Sequence, residues 1–367
     1  MGVFSAVKNF VATYYYTRKG YSSYYINFYR KEMKNAYQTF DMSKKEKKWA
    51  YKRGFNPWRI QQYGLTEENY RDVLSDRDYF YLYPLNNQYR KWIDDKLTMK
   101  YVLAPFDRFL PRYYYHIMKS RDVMPLMDCP QGYSANADGL LQLVEDLGVV
   151  AAKLIAGTHG VGFYKLEAKD GAYFANERNY NKTEFKQFLT SLDNYIITEY
   201  IQMHTDMAKI NPYAVNTIRI IVINEHGNDP ILPFAYMRIG TKKSGVVDNV
   251  AQGGMVCKLD VETGRFYGGE VLKDHVYESV KCHPDTGEKL EGIIPHWELV
   301  KTEIIKICKY CPQLRWLGFD VAITPEGFCI IEINSHQEIH KAHEYPAEVK
   351  DFLFRELAAK KAKYHIK

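Results

Sequence analysis

At 367 residues the chain is too long for one minimal domain and has the size of two or three packed units sharing a core. Its 46% hydrophobic and 26% charged residues are ordinary for a globular protein and exclude a disordered, collagen-like or disulfide-stapled chain. The formal charge of +6 divides unevenly: residues 1–60 hold 13 Lys or Arg against 3 Asp or Glu, a balance of +10, and the remainder holds 37 against 41, a balance of −4.

Tyrosine follows the charge, with 19 of 32 before residue 120, some in runs such as Tyr14-Tyr15-Tyr16 and Tyr113-Tyr114-Tyr115. A Tyr and Lys mixture suits a helix at an interface, but ordinary packing with wet hydroxyls is the preferred reading. No window approaches the roughly 18 uninterrupted apolar residues of a membrane span, and no secretory leader pattern opens the chain, so a cytoplasmic protein is expected. The cysteines Cys129, Cys257, Cys282, Cys308, Cys311 and Cys329 contain one lone C-x-x-C spacing, which predicts reduced structural thiols rather than a zinc site.

In chain order, residues 1–95 are helical in period and without strands. Val3, Phe4, Val7, Phe10 and Val11 form the apolar face of a first amphipathic helix. Ser43 with Glu46 reads as a capping box, and Thr66 is expected to cap a further helix. From residue 138 onward strands alternate with helices and glycine turns. Strands are predicted at 147–154, 195–201, 216–223, 232–239, 318–324 and 328–334, with helices at 297–310 and 345–364.

Three groups of residues carry chemistry. In the last hairpin, Asp320 lies on one strand and Glu332 and Asn334 on the next. The two-residue period puts Glu332 and Asn334 on one face and Ile331 and Ile333 on the other. Pairing across the turn at 325–327 brings Asp320 to the same face, an oxygen set suited to Mg²⁺. Acidic residues usually just decorate the wet face of a hairpin, but here they interrupt an apolar run, where an unpaired carboxylate is costly, so the metal reading leads. The second group is Lys153 on a strand followed by Gly157-Thr158-His159-Gly160-Val161-Gly162, glycines that let backbone N–H groups approach an anion. It is neither a Walker A loop nor a dinucleotide fingerprint, and alone it is weak. The third is cationic: Arg219 and Arg238 within strands and Arg265 in a turn, residues that more often stretch along a surface than bind a ligand.

Taken in order, 151–162, 198–202, 211–219, 247–254, 283–287, 294–297 and 318–334 resemble the ATP-grasp superfamily, in particular its sugar-transfer-associated branch, over roughly residues 96–345. The resemblance implies an α+β ATP-grasp fold, two lobes clasping ATP behind a helical N-terminal region. The units are then 1–95, a first lobe 96–200 and a second lobe 201–367. It implies that Lys96 and Lys153 neutralise phosphates and that Gly157, Thr158, Gly160 and Gly162 cover them. Glu199, Tyr200 and Ile201 would meet adenine. Asp320, Glu332 and Asn334 would hold two Mg²⁺ ions, with Mn²⁺ as a substitute, and Arg219 and Arg238 would stabilise the transferred phosphoryl group. His159, His204 and His296 fall near the implied cleft, and His159 alone is taken as a substrate-side group.

Two departures from the superfamily stand out. Residues 1–95 lack a Rossmann-like pattern, so the acceptor site is expected to be built differently. An arginine often found two residues before the first metal ligand is replaced by Gly318, leaving Arg315 or Arg219 to substitute.

The implied activity is an ATP- and Mg²⁺-dependent carboxylate–amine ligase acting through an acyl phosphate on a sugar- or amino-acid-borne carboxylate in surface polysaccharide synthesis. The alternatives are a kinase acting on a hydroxyl and a non-catalytic nucleotide- or glycan-binding subunit. For the basic head, nucleic acid is disfavoured for want of a binding module. Docking at the inner membrane face or on a glycosyl-assembly partner through residues 1–60, and a plain solvated face, are the two remaining readings.

Overall fold

The structure, a computed structural model, describes residues 3–157, 160–339 and 341–366. The head is wholly helical: α1 (Val3–Arg18), α2 (Arg30–Thr39), α3 (Lys44–Arg53), α4 (Arg59–Tyr63), α5 (Asp76–Leu82) and α6 (Lys91–Asp94), joined by short 3₁₀ and π turns. α3 starts at the expected capping box, Ser43 and Glu46 bonding reciprocally, and ends at Gly54, whose φ of 85° closes the helix in the left-handed region. Thr66 behaves differently. Its hydroxyl accepts from the Glu68 N–H at 3.2 Å, but only a 3₁₀ turn at Tyr70–Asp72 follows, so it caps a turn and not an α-helix.

The first sheet is antiparallel and follows α7 (Lys96–Val102). Its strands are β1 (Tyr113–Ile117), β2 (Val123–Pro125), β3 (Val149–Leu154), β4 (Tyr164–Lys169), β5 (Ala172–Ala175), β6 (Arg178–Tyr180) and β7 (Tyr195–Glu199), in the order β2-β1-β7-β3-β4-β5-β6. Helices α8 (Ala137–Leu147) and α9 (Lys182–Ser191) bury Leu140, Val144, Phe185 and Leu189 against Val150, Ala152 and Ile197. The tyrosine run 113–115 is strand β1, buried throughout, which supports the packing reading of those residues.

After α10 (Thr205–Ile210) comes the second sheet. It contains β8 (Thr217–Ile223), β9 (Ile231–Ile239), β10 (Met255–Leu259), β11 (Arg265–Lys273) and β12 (Val276–Ser279). The short β13 (Gly292–Ile293), then β14 (Trp316–Thr324) and β15 (Gly327–Asn334) complete it. Its order is β12-β11-β10-β9-β8-β14-β15, with β13 on β11. α11 (Trp297–Tyr310) covers one face: Ile218, Ile220, Val222, Leu317, Phe319 and Val321 pack on Val300, Ile304 and Ile307.

The opposite face decides the architecture of the site. Along β8 the alternate residues Thr217, Arg219, Ile221 and Ile223 share this side, as do Trp316 and Asp320 on β14. At one end, Ile221, Ile223 and Trp316 are covered by head residues Phe55, Tyr63, Tyr79 and Leu82 and by α12 (Ala347–Lys363) through Val349 and Phe352. Tyr79 donates to the Gln337 carbonyl at 2.6 Å, Tyr63 to the Ile339 carbonyl, and Asn86 to the Trp316 carbonyl at 2.7 Å. The head therefore shares a core with the second sheet and leaves the polar end of its face, Thr217, Arg219 and Asp320, open to a cavity.

Helix α1 forms as its spacing predicts, but the described part of its apolar face is not packed. Val7, Phe10 and Val11 are 56%, 73% and 60% exposed; the side chains of Val3 and Phe4 lie outside those described.

Candidate active site

A cavity of about 1140 Å³ lies between the two sheets and extends under the head. Several of its side chains reach it through strand alternation. On β3, Ala151 and Lys153 share a face turned to the cavity, while Val150 and Ala152 enter the core beneath α8. The Lys153 ammonium makes no hydrogen bond among the described residues, and burial lowers its pKa to about 8. Lys96, at the first turn of α7, places its Nζ 2.9 Å from the Gly157 carbonyl and 3.4 Å from Glu332. Two lysines and the start of the glycine loop thus meet at one end of the cavity.

Within that loop, Gly160 has φ +69° and a Cβ there would lie 2.8 Å from Val247, so the turn must be glycine to approach the 241–254 segment of the second sheet. Gly157 and Gly160 line the cavity, whereas Gly162 packs against Leu154 and the Tyr195 hydroxyl and does not. Thr158 and His159 lie outside the described residues.

Glu199, Tyr200 and Ile201 line the cavity where β7 ends. Tyr200 and Ile201 fall just past both ladders of β7, and Glu199 accepts from Arg112 at 2.8 Å. Leu154, Ile201 and Ile331 give this end an apolar surface beside the lysines.

The second lobe contributes a compact ionic cluster. Asp320 pairs in register with Arg219 on β8 and with Glu332 on β15. Arg219 grips Asp320 at 2.6 and 3.0 Å, Arg238 adds a contact at 3.1 Å, and Asn334 donates to the same carboxylate at 3.3 Å. Burial pushes the Asp320 pKa up, but the two guanidiniums outweigh it and hold the carboxyl below its ordinary range. Arg238 also donates to Thr217 Oγ1 at 3.0 and 2.7 Å and lies 3.5 Å from Asp248. Thr217 donates to Asp248 in turn, from its N–H at 3.0 Å and from its hydroxyl.

One expectation for the hairpin fails. Asp320 pairs with Glu332 but Val321 pairs with Ile330, so Ile331 is the extra residue of a β-bulge. The bulge breaks the two-residue alternation there, and Ile331 lines the cavity beside Glu332 instead of joining Ile333 in the core.

Other expected residues lie elsewhere. His204 caps α10, accepting from the Asp206 N–H at 3.2 Å, and His296 contacts the Pro325 carbonyl at 3.1 Å; neither lines the cavity. Arg265 begins β11 and lies over the Tyr267 ring. Arg315 is held by Glu356 at 3.0 and 2.8 Å, so of the two candidates to replace the missing arginine only Arg219 is at the cluster. Gly318 has its own reason: a Cβ there would lie 2.2 Å from Gln337 Oε1, because the buried Gln337 side chain fills that space.

Supporting loops came from motifs whose roles the sequence left unassigned. Asn216 accepts from the Gly240 N–H at 3.1 Å and donates to the Met207 carbonyl at 2.9 Å. His283 contacts the Gly240 carbonyl at 2.8 Å, and Asp285 accepts from the Lys242 N–H at 2.8 Å, fixing the segment that carries Asp248. Thr217 escaped sequence reading because a strand threonine looks like an ordinary β-former.

Asp320, Glu332 and Asn334 offer the hard oxygen donors that suit Mg²⁺, with Glu332 the more available carboxylate, since Lys96 at 3.4 Å is its one ion pair among the described residues. No group of three His, Cys, Asp or Glu suited to a metal occurs among the described residues, so the asparagine is needed to complete a protein-derived set of three.

Two lobes of antiparallel sheet closing on a cleft, with lysines on one and an acid–arginine cluster on the other, define an ATP-grasp protein. The chain belongs to the sugar-transfer associated ATP-grasp family, whose model matches residues 77–343. Among solved structures it is similar to an ATP-grasp ligase, PsnB, complexed with a minimal precursor, at 13% identity over 74% of this chain and 63% of that one, TM-score 0.40. It is also similar to a D-alanyl-alanine synthetase A from Vibrio cholerae, at 11% identity over 73% and 65%, TM-score 0.43. A third is the macrocyclase MdnC from Microcystis aeruginosa, bound with precursor peptide MdnA, at 11% over 74% and 60%, TM-score 0.35. The chain thus spans less than two thirds of each of these proteins. No curated protein matches it in sequence.

Proposed function

We propose that the protein is an ATP- and Mg²⁺-dependent carboxylate–amine ligase acting on a sugar- or amino-acid-borne carboxylate in surface polysaccharide synthesis. The observation that carries this is the meeting of Lys96, Lys153, Arg219 and Arg238 with Asp320, Glu332 and Asn334 around one cavity. Such a site works by position and charge, so it needs no nucleophilic side chain. The lysines bind phosphate oxygens, and Tyr200 and Ile201 offer backbone groups to the adenine. Mg²⁺, when bound by Glu332, Asp320 and Asn334, neutralises phosphate charge.

In the reaction proposed, a carboxylate oxygen attacks the γ-phosphorus of ATP and ADP leaves with the bond electrons. The amine nitrogen then attacks the acyl carbon. A C–N bond forms as the C–O bond to phosphate breaks, inorganic phosphate departs, and the nitrogen sheds its proton to solvent. Arg219 and Arg238 face the oxygens on which charge builds.

The test is ATP turnover with a panel of uronic and amino acids in the presence of hydroxylamine, which intercepts an acyl phosphate as a hydroxamate. Hydroxamate formed in step with ADP, and lost in Glu332→Gln, supports ligation. A stable phosphoester without hydroxamate supports the kinase, and nucleotide binding with no turnover supports the non-catalytic subunit.

For the head we infer docking on an anionic lipid surface at the inner face of the membrane. Val7, Phe10, Val11, Tyr14 and Tyr15 form an exposed stripe at helical spacing on α1, within the segment of charge +10. No helix among the described residues is long and apolar enough to cross a membrane. Pelleting with phosphatidylserine vesicles, lost in Phe10→Asp and weakened by salt, is expected; equal pelleting of the variant would refute it.

A further inference from the structure

The cavity is larger than the roughly 300–1,000 Å³ usual for a single small-molecule site, and its two ends differ in chemistry. The nucleotide end holds the four cations already described. Under the head, Glu32, Asp41, Asp76, Asp274 and Glu338 line the wall; Arg59 there is itself bound to Asp76 at 3.0 Å, and Lys243 lines the cavity beside Gly253. This end is also aromatic. Tyr24 and Phe28 stack at 5.1 Å, and Trp58 stacks on His275 at 4.5 Å with Phe40 edge-on to both.

Resting on the ligase reading, we propose that this chamber is the acceptor subsite and that it takes an organic ammonium, an amine carried on a ring or short chain that lies against the aromatic faces. Tyr24, Phe28 and Glu32 stand at successive four-residue intervals through the π turn and α2, which aligns two rings and a carboxylate on one side of the helical segment. The Glu32 carboxylate makes no hydrogen bond or ion pair among the described residues. Burial, then Asp76 and Glu338, push its pKa upward. A half-buried carboxylate without a partner is costly, and an arriving cation removes that cost.

A second observation is independent of the acids. Asn56, only 3% exposed, lines the same chamber and its Oδ1 has no partner among the described residues, an acceptor awaiting a donor. A carboxylate substrate would be repelled from this end, whereas an ammonium gains both the carboxylates and the ring faces.

The proposal is tested without turnover. Glucosamine, N-acetylglucosamine and glucuronate share a ring and differ in charge, so each is titrated calorimetrically into the full chain at slightly acidic pH. A preference for glucosamine of about tenfold over the other two is expected, reduced to near parity in Glu32→Gln and weakened in Trp58→Ala, with Mg²⁺·AMPPNP binding unchanged in both. Equal or tighter binding of the neutral or anionic sugar, no binding of any of the three, or a preference that survives Glu32→Gln would overturn it. If glucosamine is preferred but no amine-dependent ADP release is found with any acid, the ligase reading fails and the ammonium subsite stands.

Discussion

Arg219 and Asp320 are register partners across the β8–β14 ladder, and their side chains close a two-point contact, Nε to Oδ1 at 2.6 Å and Nη2 to Oδ2 at 3.0 Å. Arg238 adds a third contact from β9 at 3.1 Å. Two guanidiniums therefore converge on one buried carboxylate.

Removing that carboxylate leaves two guanidiniums facing each other out of water. Asp320→Asn is expected to cost about 3–5 kcal/mol in urea unfolding. Glu332→Gln gives up one contact of 3.4 Å at a more open position and is expected to cost no more than about 1 kcal/mol. Both variants should lose Mg²⁺-dependent nucleotide binding. Because the fold lowers the Asp320 pKa, its contribution is present above the ordinary carboxylate range and is lost as the pH falls below it. Wild-type stability should accordingly drop more steeply in acid than that of Asp320→Asn.

Lys153 gives a second pH dependence, this one also in nucleotide affinity. With its pKa near 8 in the free protein, the lysine is half deprotonated there, and phosphate oxygens favour the charged form. Nucleotide binding at pH 8 should take up a proton, seen by calorimetry in buffers of different ionisation enthalpy, and affinity should fall as the pH rises through 8. Lys153→Arg should show no uptake. The same burial destabilises the fold fully below pH 8, less between 8 and the ordinary value of 10.5, and not above it. Lys153→Met should therefore melt higher at neutral pH while losing nucleotide.

Gly318 and Gln337 form a space-sharing pair. Gly318→Ala puts a Cβ against the Gln337 amide and is expected to cost about 1–3 kcal/mol, most of it recovered when Gln337→Ala is added. An additive double mutant would show that the close approach is not what requires glycine.

The head and the second sheet share Phe55, Tyr63, Trp316 and Phe352 in one cluster. A chain starting at residue 96 should fail to give a cooperative transition, and Trp316→Ala should lower stability by about 3–5 kcal/mol in a single step of the whole protein. Two separate melting transitions in the full chain would contradict this.

Much of the cleft was legible because local rules govern it. Strand alternation aligns Glu332 with Asn334, pairing across the 325–327 turn brings in Asp320, and the Lys153 strand runs directly into its glycine loop. The bulge at Ile331 was not legible, since a one-residue slip between strands leaves no mark in composition. Nor were the walls under the head: Glu32, Asn56, Trp58 and His275 meet only through tertiary packing, and each alone reads as a surface or core residue. Ser43 and Thr66 show the same limit on a smaller scale, one capping an α-helix and the other only a turn.

The most direct test of the cleft is calorimetric titration of AMPPNP into the full chain with and without Mg²⁺. Binding at about one nucleotide per chain, dependent on Mg²⁺ and abolished in both Lys153→Ala and Glu332→Gln, is predicted. Binding that persists in both variants, or no binding to the intact protein, would contradict the assignment of this cavity to ATP.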